Sequence, residues 1–241
     1  MSLLRDADLS VAFDRAARSY DRMVAVNPGY HRQLRRSTRR LGLAYAGAGQ
    51  RVLDLGCGTG ASTAALLAVA PCAQVTAVDA SAGMLAKAQR KAWPPGVSFT
   101  HASAEDLARA GVKGPFDAVF ASYLLRNVSD PDDVLAQVHR LLAPGGRIAV
   151  HEYTLSGRRV HRAVWTAVCR GVVLPVARRS GDAALYEHLW RSVVDFDTAD
   201  EFARRMRRAG FADVRVLPLS GWHTGITHTF VGRVPAGEGR K

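Results

Sequence analysis

Long hydrophobic runs are missing from this sequence: no stretch of about 18 uncharged apolar residues, the minimum for crossing a bilayer, occurs anywhere. The opening residues, Met1-Ser2-Leu3-Leu4-Arg5-Asp6-Ala7-Asp8, also lack the apolar core of a signal peptide, so neither secretion nor membrane spanning is expected. Cysteine is scarce. Cys57, Cys72 and Cys169 show no CxxC or Cys/His ligand spacing, and an odd count does not suit a disulfide framework, so reduced thiols in a cytoplasmic protein are expected. No internal repeat is present, and only Pro235 to Lys241 reads as a disordered tail.

Acidic residues are outnumbered, 21 against 33 Lys and Arg, for a formal net charge of +12. Two stretches contain none at all. One runs from Arg22 to Arg51 and includes Arg32, Arg35, Arg36, Arg39 and Arg40; the other runs from Tyr153 to Gly181 and includes Arg158, Arg159, Arg162, Arg170, Arg178 and Arg179. Such stretches are either solvated helix faces or a surface that attracts anions. Neither interleaves aromatics as a single-strand binder does, and no nucleic-acid motif appears, so no nucleic-acid partner is expected.

What is present, from about residue 50, is an alternation of strands and helices. The patterns predict strands at 51–55, 74–78, 97–101, 116–121 and 147–151, with helices at 59–69, 82–91 and 104–110. A further helix starts at Ser129-Asp130-Pro131, with Val134, Leu135, Val138, Leu141 and Leu142 on its apolar face and Pro144-Gly145-Gly146 ending it. Residues 160–177 form a basic helical segment interrupted by Pro175. Thr198 and Glu201 form a capping box for a helix closed by Gly210, and strands follow at 211–217 and 224–234. This order implies an open α/β sheet with its ligand at the carboxyl ends of the strands.

The motifs fall there. Val52-Leu-Asp-Leu-Gly-Cys-Gly-Thr-Gly60 is a strand running into a glycine loop, and Gly56 to Ala61 nearly satisfies the dinucleotide pattern as well. Asp79, ending the second strand, suits the ribose hydroxyls of either cofactor. Asp54 breaks the tie. It sits inside the first strand, where a dinucleotide site is normally apolar, and a buried carboxylate needs cationic or hydrogen-bonding company. The amino group of S-adenosyl-L-methionine supplies it, and S-adenosyl-L-homocysteine would be the product. A purely structural Asp54 is the alternative.

From Phe13 to about Val234 the chain resembles the ubiquinone and menaquinone C-methyltransferases. The matching segments are Phe13-Asp-Arg-Ala-Ala-Arg-Ser-Tyr-Asp21, Val52 to Gly60, Ser122-Tyr-Leu-Leu-Arg-Asn-Val128, Leu142-Ala-Pro-Gly-Gly-Arg147, Tyr186-Glu-His-Leu-Trp-Arg-Ser192, and Ala209-Gly-Phe211 followed by the His228 region. The resemblance implies a Rossmann-like class I methyltransferase fold whose seven-stranded sheet has an antiparallel last strand, plus a small helical lid. The implied division of the single domain is an N-terminal helical segment (1–48), a cofactor-binding core (49–153), a helical lid insertion (154–197), a C-terminal helix and strand pair (198–234) and the tail (235–241). It further implies Tyr20 near the methionine carboxylate, Asp54, Gly56, Gly58 and Thr59 on the methionine and backbone side, and Asp79 and Ala80 at the ribose. Met84 would lie against adenine, Ser103 and Ala104 near its edge, and Ser122 at the end of the strand after the core. The family often has Asp or Asn where this chain has Ser103; the segment Val26–His31 and the pair His151-Glu152 depart as well.

A sulfonium carries an activated methyl, so no metal is required; Asp130, Asp132 and Asp133 sit at a helix start, where carboxylates suit the dipole. Attack by a quinol ring carbon calls for removal of an adjacent hydroxyl proton, for which histidine has the right pKa. His228 is favoured through the resemblance, with His151, Glu152 and His223 as further candidates; each histidine could equally bond only its neighbours. Tyr123, Arg126, Tyr186 and Ser192 are candidates to orient the substrate, and Arg126 could instead satisfy loop carbonyls. The expected reaction is C-methylation of a quinol or phenolic ring such as demethylmenaquinol, by a monomer or homodimer that visits the inner face of the membrane. Methylation of a specialised metabolite on oxygen or carbon, and a cofactor-bound cyclase or binding protein that transfers no methyl, are the alternatives.

Overall fold

A computed structural model describes residues 6–25, 29–180 and 183–236; the segment 26–28 and most of the expected tail lie outside the described residues. Two helices, α1 (Asp6–Ala25) and α2 (Tyr30–Arg39), precede the alternating part: β1 (Arg51–Leu55), α3 (Ala61–Leu67), β2 (Gln74–Asp79), α4 (Ala82–Gln89), β3 (Val97–His101), β4 (Phe116–Ser122), α5 (Pro131–Leu141) and β5 (Leu142–Tyr153). Then come α6 (Arg159–Val168), a π turn (Cys169–Val173), α7 (Leu174–Ser180), α8 (Ala183–Asp195), α9 (Ala199–Arg208), β6 (Ala212–Pro218) and β7 (Thr227–Arg233). The sheet order is β3-β2-β1-β4-β5-β7-β6, with β7 antiparallel to both its neighbours and the other pairings parallel.

Strand periodicity explains why both faces are covered. Leu53, Leu55, Val119 and Ala121 point to the side packed by α5 and α9, around Phe202 and Phe230, while Val52, Ala118, Phe120 and Ala149 point to the side packed by α2 and α3. The expected capping box forms, with Thr198 and Glu201 bonding reciprocally at the start of α9, and its basic face turns outward except for Arg205, which pairs with Asp197 and Asp132.

Several expectations are corrected. Residues 104–110 form turns, not a helix, because Ser103 and Glu105 bond locally and the Glu105 carboxylate also takes the Ser129 N–H at 2.7 Å. Gly60, at φ 89°, delays α3 to Ala61. Leu142 opens β5 instead of closing α5, so Pro144-Gly145-Gly146 lies within that strand. The interruption in the basic helical segment precedes Pro175: proline has no N–H to give to Gly171, and the Leu174 N–H reaches five residues back to the Cys169 carbonyl.

Candidate active site

The glycine loop is fixed to the second strand before any side chain acts. Gly56 and Cys57 both donate to the Val78 carbonyl, at 2.8 and 3.0 Å. Gly58 and Ser81 then donate backbone N–H bonds to the two oxygens of Asp79, at 2.7 and 2.9 Å. Burial raises the Asp79 pKa, and these two donors oppose the rise by favouring the ionised form. Each oxygen keeps a lone pair for a further donor. At Gly58, whose φ is 55°, an added Cβ would meet nothing within 4 Å, so the backbone there borders open space into which a ligand fits.

Asp54 lies one layer below. It is fully buried; Oδ2 accepts from Ser62 Oγ (2.8 Å) and Thr63 Oγ1 (2.6 Å), while Oδ1 has no partner. Burial lifts its pKa to about 7, with nearby Asp79 adding to the rise and the two hydroxyls opposing it. Asp54 does not itself line the cavity described below, so its orphaned acceptor fits an ammonium group reached through water. Ser62 and Thr63 escaped the sequence reading because their approach to β1 depends on how α3 docks, which periodicity does not specify.

Helix α1 roofs this end through two carboxylates. Asp14 accepts from Ser81 Oγ (2.5 Å) and Gly83 N (2.9 Å) at the start of α4, and Asp21 accepts from Thr59 Oγ1 (2.5 Å) and pairs with Lys91 (3.1 Å). The Thr59 hydroxyl is thereby spent on the roof, and Thr59 does not line the cavity.

That cavity, of about 860 Å³, runs from the glycine loop to a chamber beneath α6, α7 and α8. Tyr20, Gly56, Gly58, Asp79, Ala80, Met84, Ser103, Ala104 and Ser122 all line the first end; Tyr123, Arg126 and Tyr186 line the second. Tyr123 carries the tightest set of contacts. It stands at φ 56°, stacks on Tyr30 (centroids 5.7 Å apart) and Tyr153 (4.7 Å), and lies under the Arg126 guanidinium at 5.6 Å. Burial, then the neighbouring Tyr153 and Tyr30, holds its phenol well above the usual value. Its hydroxyl meets His151 Nε2 at 2.9 Å; His151 Nδ1 meets Ser37 Oγ at 2.9 Å, and Ser37 meets Thr229 Oγ1 at 2.7 Å. His151 itself is fully buried and off the cavity wall; burial, then His223 and Arg40, lowers its pKa to about 3, so it stays neutral.

Arg126 is held by a buried ion pair, Nη1 to Glu152 Oε1 at 2.5 Å, with side chains 4% and 0% exposed. Its Nε is buried without a partner on a residue that faces the cavity, which leaves one donor for a ligand oxygen. The remaining candidates lie elsewhere. His228 bonds Thr154 Oγ1 (2.9 Å), His223 accepts from Gln33 Nε2 (2.7 Å), and Ser192 donates to the Leu189 carbonyl of its own helix (3.2 Å); none of them lines the cavity. Burial lowers the pKa of both histidines, that of His223 to about 4. Among the residues of the chamber that were not foreseen are Tyr30, Asn127, Tyr153, Trp165 and Trp190. The strand-end rule points to Tyr153, where β5 stops, and Asn127 lies within the matched Leu-Arg-Asn-Val run. Asn127 donates to the Tyr123 carbonyl (2.9 Å) and contacts His188 Nε2 (3.1 Å), which pins the turn after β4.

A model of the ubiE/COQ5 methyltransferase family matches residues 1–232. Demethylmenaquinone methyltransferase of Clavibacter sepedonicus is 36% identical over 239 residues, covering 97% of this chain and 93% of that protein. The ubiquinone/menaquinone biosynthesis C-methyltransferase of Desulfotalea psychrophila is 36% identical over 222 residues, covering 89% and 88%. Among solved structures, an S-adenosylmethionine-dependent methyltransferase from Thermotoga maritima superposes with a TM-score of 0.63 at 20% identity, covering 93% of this chain and 99% of that one. Human N-acetylserotonin methyltransferase in complex with the cofactor superposes at 0.59 and 15%, covering 94% and 56%. These two share the fold. The expected antiparallel-ended sheet, the carboxylates beneath the glycine loop and the match along the chain converge: this protein is an S-adenosylmethionine-dependent methyltransferase and belongs to the ubiE/COQ5 methyltransferase family.

Proposed function

We propose that the chain methylates a ring carbon of a demethylated quinol, with the acceptor ring in the chamber beneath α6–α8 acting as a helical lid. The observation that carries the reading is the joining of the Asp79 end to an aromatic chamber holding Tyr123, Arg126, Tyr153, Trp165 and Trp190 in one cavity. Its volume, about 860 Å³, lies at the upper end for small-molecule sites, as two ligands require. Asp79 would hold the ribose and Asp54 the ammonium; when bound, the cofactor supplies a methyl on a sulfonium.

The chain's own residues prepare the acceptor. With His151 carrying its proton on Nδ1, Nδ1 donates to Ser37 and Nε2 accepts from Tyr123, so the phenol oxygen, which also bonds the Tyr153 hydroxyl, keeps one lone pair for a ring hydroxyl. The Arg126 Nε–H and its positive charge favour the ionised form of that hydroxyl, its proton leaving to water, and the oxyanion pushes electron density onto the adjacent carbon, whose own proton leaves to water once the methyl is in place. Tyr123 and Arg126 therefore replace His228 and His223 as the groups proposed to touch the acceptor. Contact with the membrane is peripheral in this reading, since among the described residues no helix is long and apolar enough to cross one.

Incubation with isotopically labelled cofactor and a short-chain demethylmenaquinol is expected to put the label on a ring carbon, as fragmentation in the mass spectrometer reads out. A label on oxygen, or none despite calorimetric binding of the cofactor, overturns the proposal. Tyr123→Phe is expected to lower kcat by roughly 10- to 100-fold while leaving cofactor affinity unchanged, because the oxygen it removes serves the acceptor and His151 and lies away from the Asp79 end. Unchanged kcat removes Tyr123 from the mechanism.

A further inference from the structure

Six large apolar side chains are exposed among the described residues, and four of them belong to one segment: Val160 (51%), Val164 (41%), Val172 (61%) and Val176 (45%). Their spacing is the reason they share a face. Four-residue steps drift by about 40° each on an ideal helix, and the wider π turn at Cys169–Val173 takes up part of that drift between Val164 and Val172. The inner face of the same segment carries Trp165 and Cys169, both buried and on the cavity wall. Val172 and Val176 belong to both surfaces: they are exposed to solvent and they line the cavity, so the chamber reaches the outside among these valines.

The same helices are basic. Arg158, Arg159, Arg162, Arg170 and Arg178 are exposed, and Tyr153 to Gly181 contains no acidic residue. None of the five has a salt bridge among the described residues; Arg170 lies over the Trp190 ring. Nucleic acid would account for the arginines but gives exposed valines nothing to gain. An anionic lipid surface accounts for both, because headgroup phosphates take the guanidinium groups while the aliphatic side chains enter the acyl boundary.

We infer that α6, the π turn and α7 form a docking face for an anionic lipid surface, and that the cavity opens into the bilayer between Val172 and Val176. The docking half stands on exposure and charge alone; the opening rests on the proposed quinol reading, since a ring with a hydrophobic tail is the acceptor that would enter by that route. Its tail would remain among lipid chains while the ring reached Tyr123.

The test uses the full chain with vesicles of phosphatidylglycerol and phosphatidylcholine. Wild-type protein is expected to co-sediment with the anionic vesicles at low salt, but not with phosphatidylcholine alone. Arg159→Gln/Arg162→Gln is expected to weaken binding roughly 30-fold, at about 1 kcal/mol per basic residue. Val160→Gln/Val164→Gln, at two residues that do not line the cavity, is expected to weaken it roughly tenfold. The valine pair should keep wild-type turnover on a water-soluble short-chain acceptor and lose roughly tenfold on a long-chain acceptor embedded in vesicles. No binding to anionic vesicles, or binding unchanged in both variants, overturns the docking face even if methyl transfer to the soluble acceptor is intact. Self-association or nucleic-acid binding that is lost in the variants, without vesicle binding, overturns it in favour of a second copy or a nucleic acid. Equal loss on both acceptors overturns the opening into the bilayer.

Discussion

Asp54→Asn is expected to weaken cofactor binding roughly 100-fold while making the empty protein more stable at pH 8, since truncating one member of a buried charge pair costs about 2–5 kcal/mol of binding. The two effects share one cause. Asp54 is fully buried, and its pKa of about 7 when folded is above the 3.8 of an unfolded carboxyl. A group raised in this way contributes stability that is complete below the unfolded pKa and is lost as pH rises through the folded one; the integrated cost at pH 8 is on the order of 4 kcal/mol. Asparagine carries no charge, and Ser62 and Thr63 can accept from its amide, so part of that cost is recovered. Thermal melts should therefore separate variant from parent at pH 8, less so at pH 5, and converge only below about pH 4. Binding should show the reverse sign. An ammonium needs the carboxylate ionised, so parental affinity falls about tenfold per pH unit below 7 and levels off above it until the ligand's own ammonium deprotonates, whereas the variant lacks the fall below 7. Calorimetry across pH that finds the parent insensitive would remove Asp54 from the cofactor site.

Arg126→Met should be the most destabilising single change in the chamber. It strands Glu152, which is wholly buried and would keep only backbone donors, Tyr153 N at 2.9 Å and Arg126 N at 3.5 Å. Breaking a buried pair from one side costs about 3–5 kcal/mol, which for a chain of this length lowers Tm by about 10 °C. Burial, opposed chiefly by Arg126, already raises the Glu152 pKa. With Arg126 gone the folded pKa rises further, so the deficit should be largest at alkaline pH and shrink as Glu152 protonates. Arg126→Met/Glu152→Gln is expected to regain most of the lost stability and none of the turnover, because the orphan charge is gone but so is the donor offered to the acceptor. A double variant that regains both would make the arginine structural only.

The sheet was legible because strands buried on both faces and helices with one apolar stripe leave different periods in a sequence, and the glycine loop because few backbones other than glycine pass φ 74°, 55° and 89° within five residues. Asp79 followed from its place at a strand end. The histidines did not follow. His228 sits at a strand register opposite Glu152, and whether its side chain reaches the cavity turns on alternation and on the edge of a sheet assembled from distant segments. The turns at 104–110 were hidden because Glu105 bonds Ser129, a partner absent from any local window. Tyr30 gave no signal either: it follows Val26–Pro28, and only the stacking on Tyr123 makes it part of the chamber.

The strand order has a mechanical consequence. The chain builds β1, β2 and β3 outward in one direction, then returns across β1 to add β4 and everything after it, so within the sheet the two halves meet along a single ladder of four residue pairs, Val52–Leu55 against Ala118–Ala121. Gly56 and Asp79 belong to one half and Ser122 to the other, and all three line the same cavity. A molecule spanning them acts as a rivet across the seam. At a hundred times its dissociation constant it would add about 2.7 kcal/mol of cohesion where the sheet itself supplies only that short ladder.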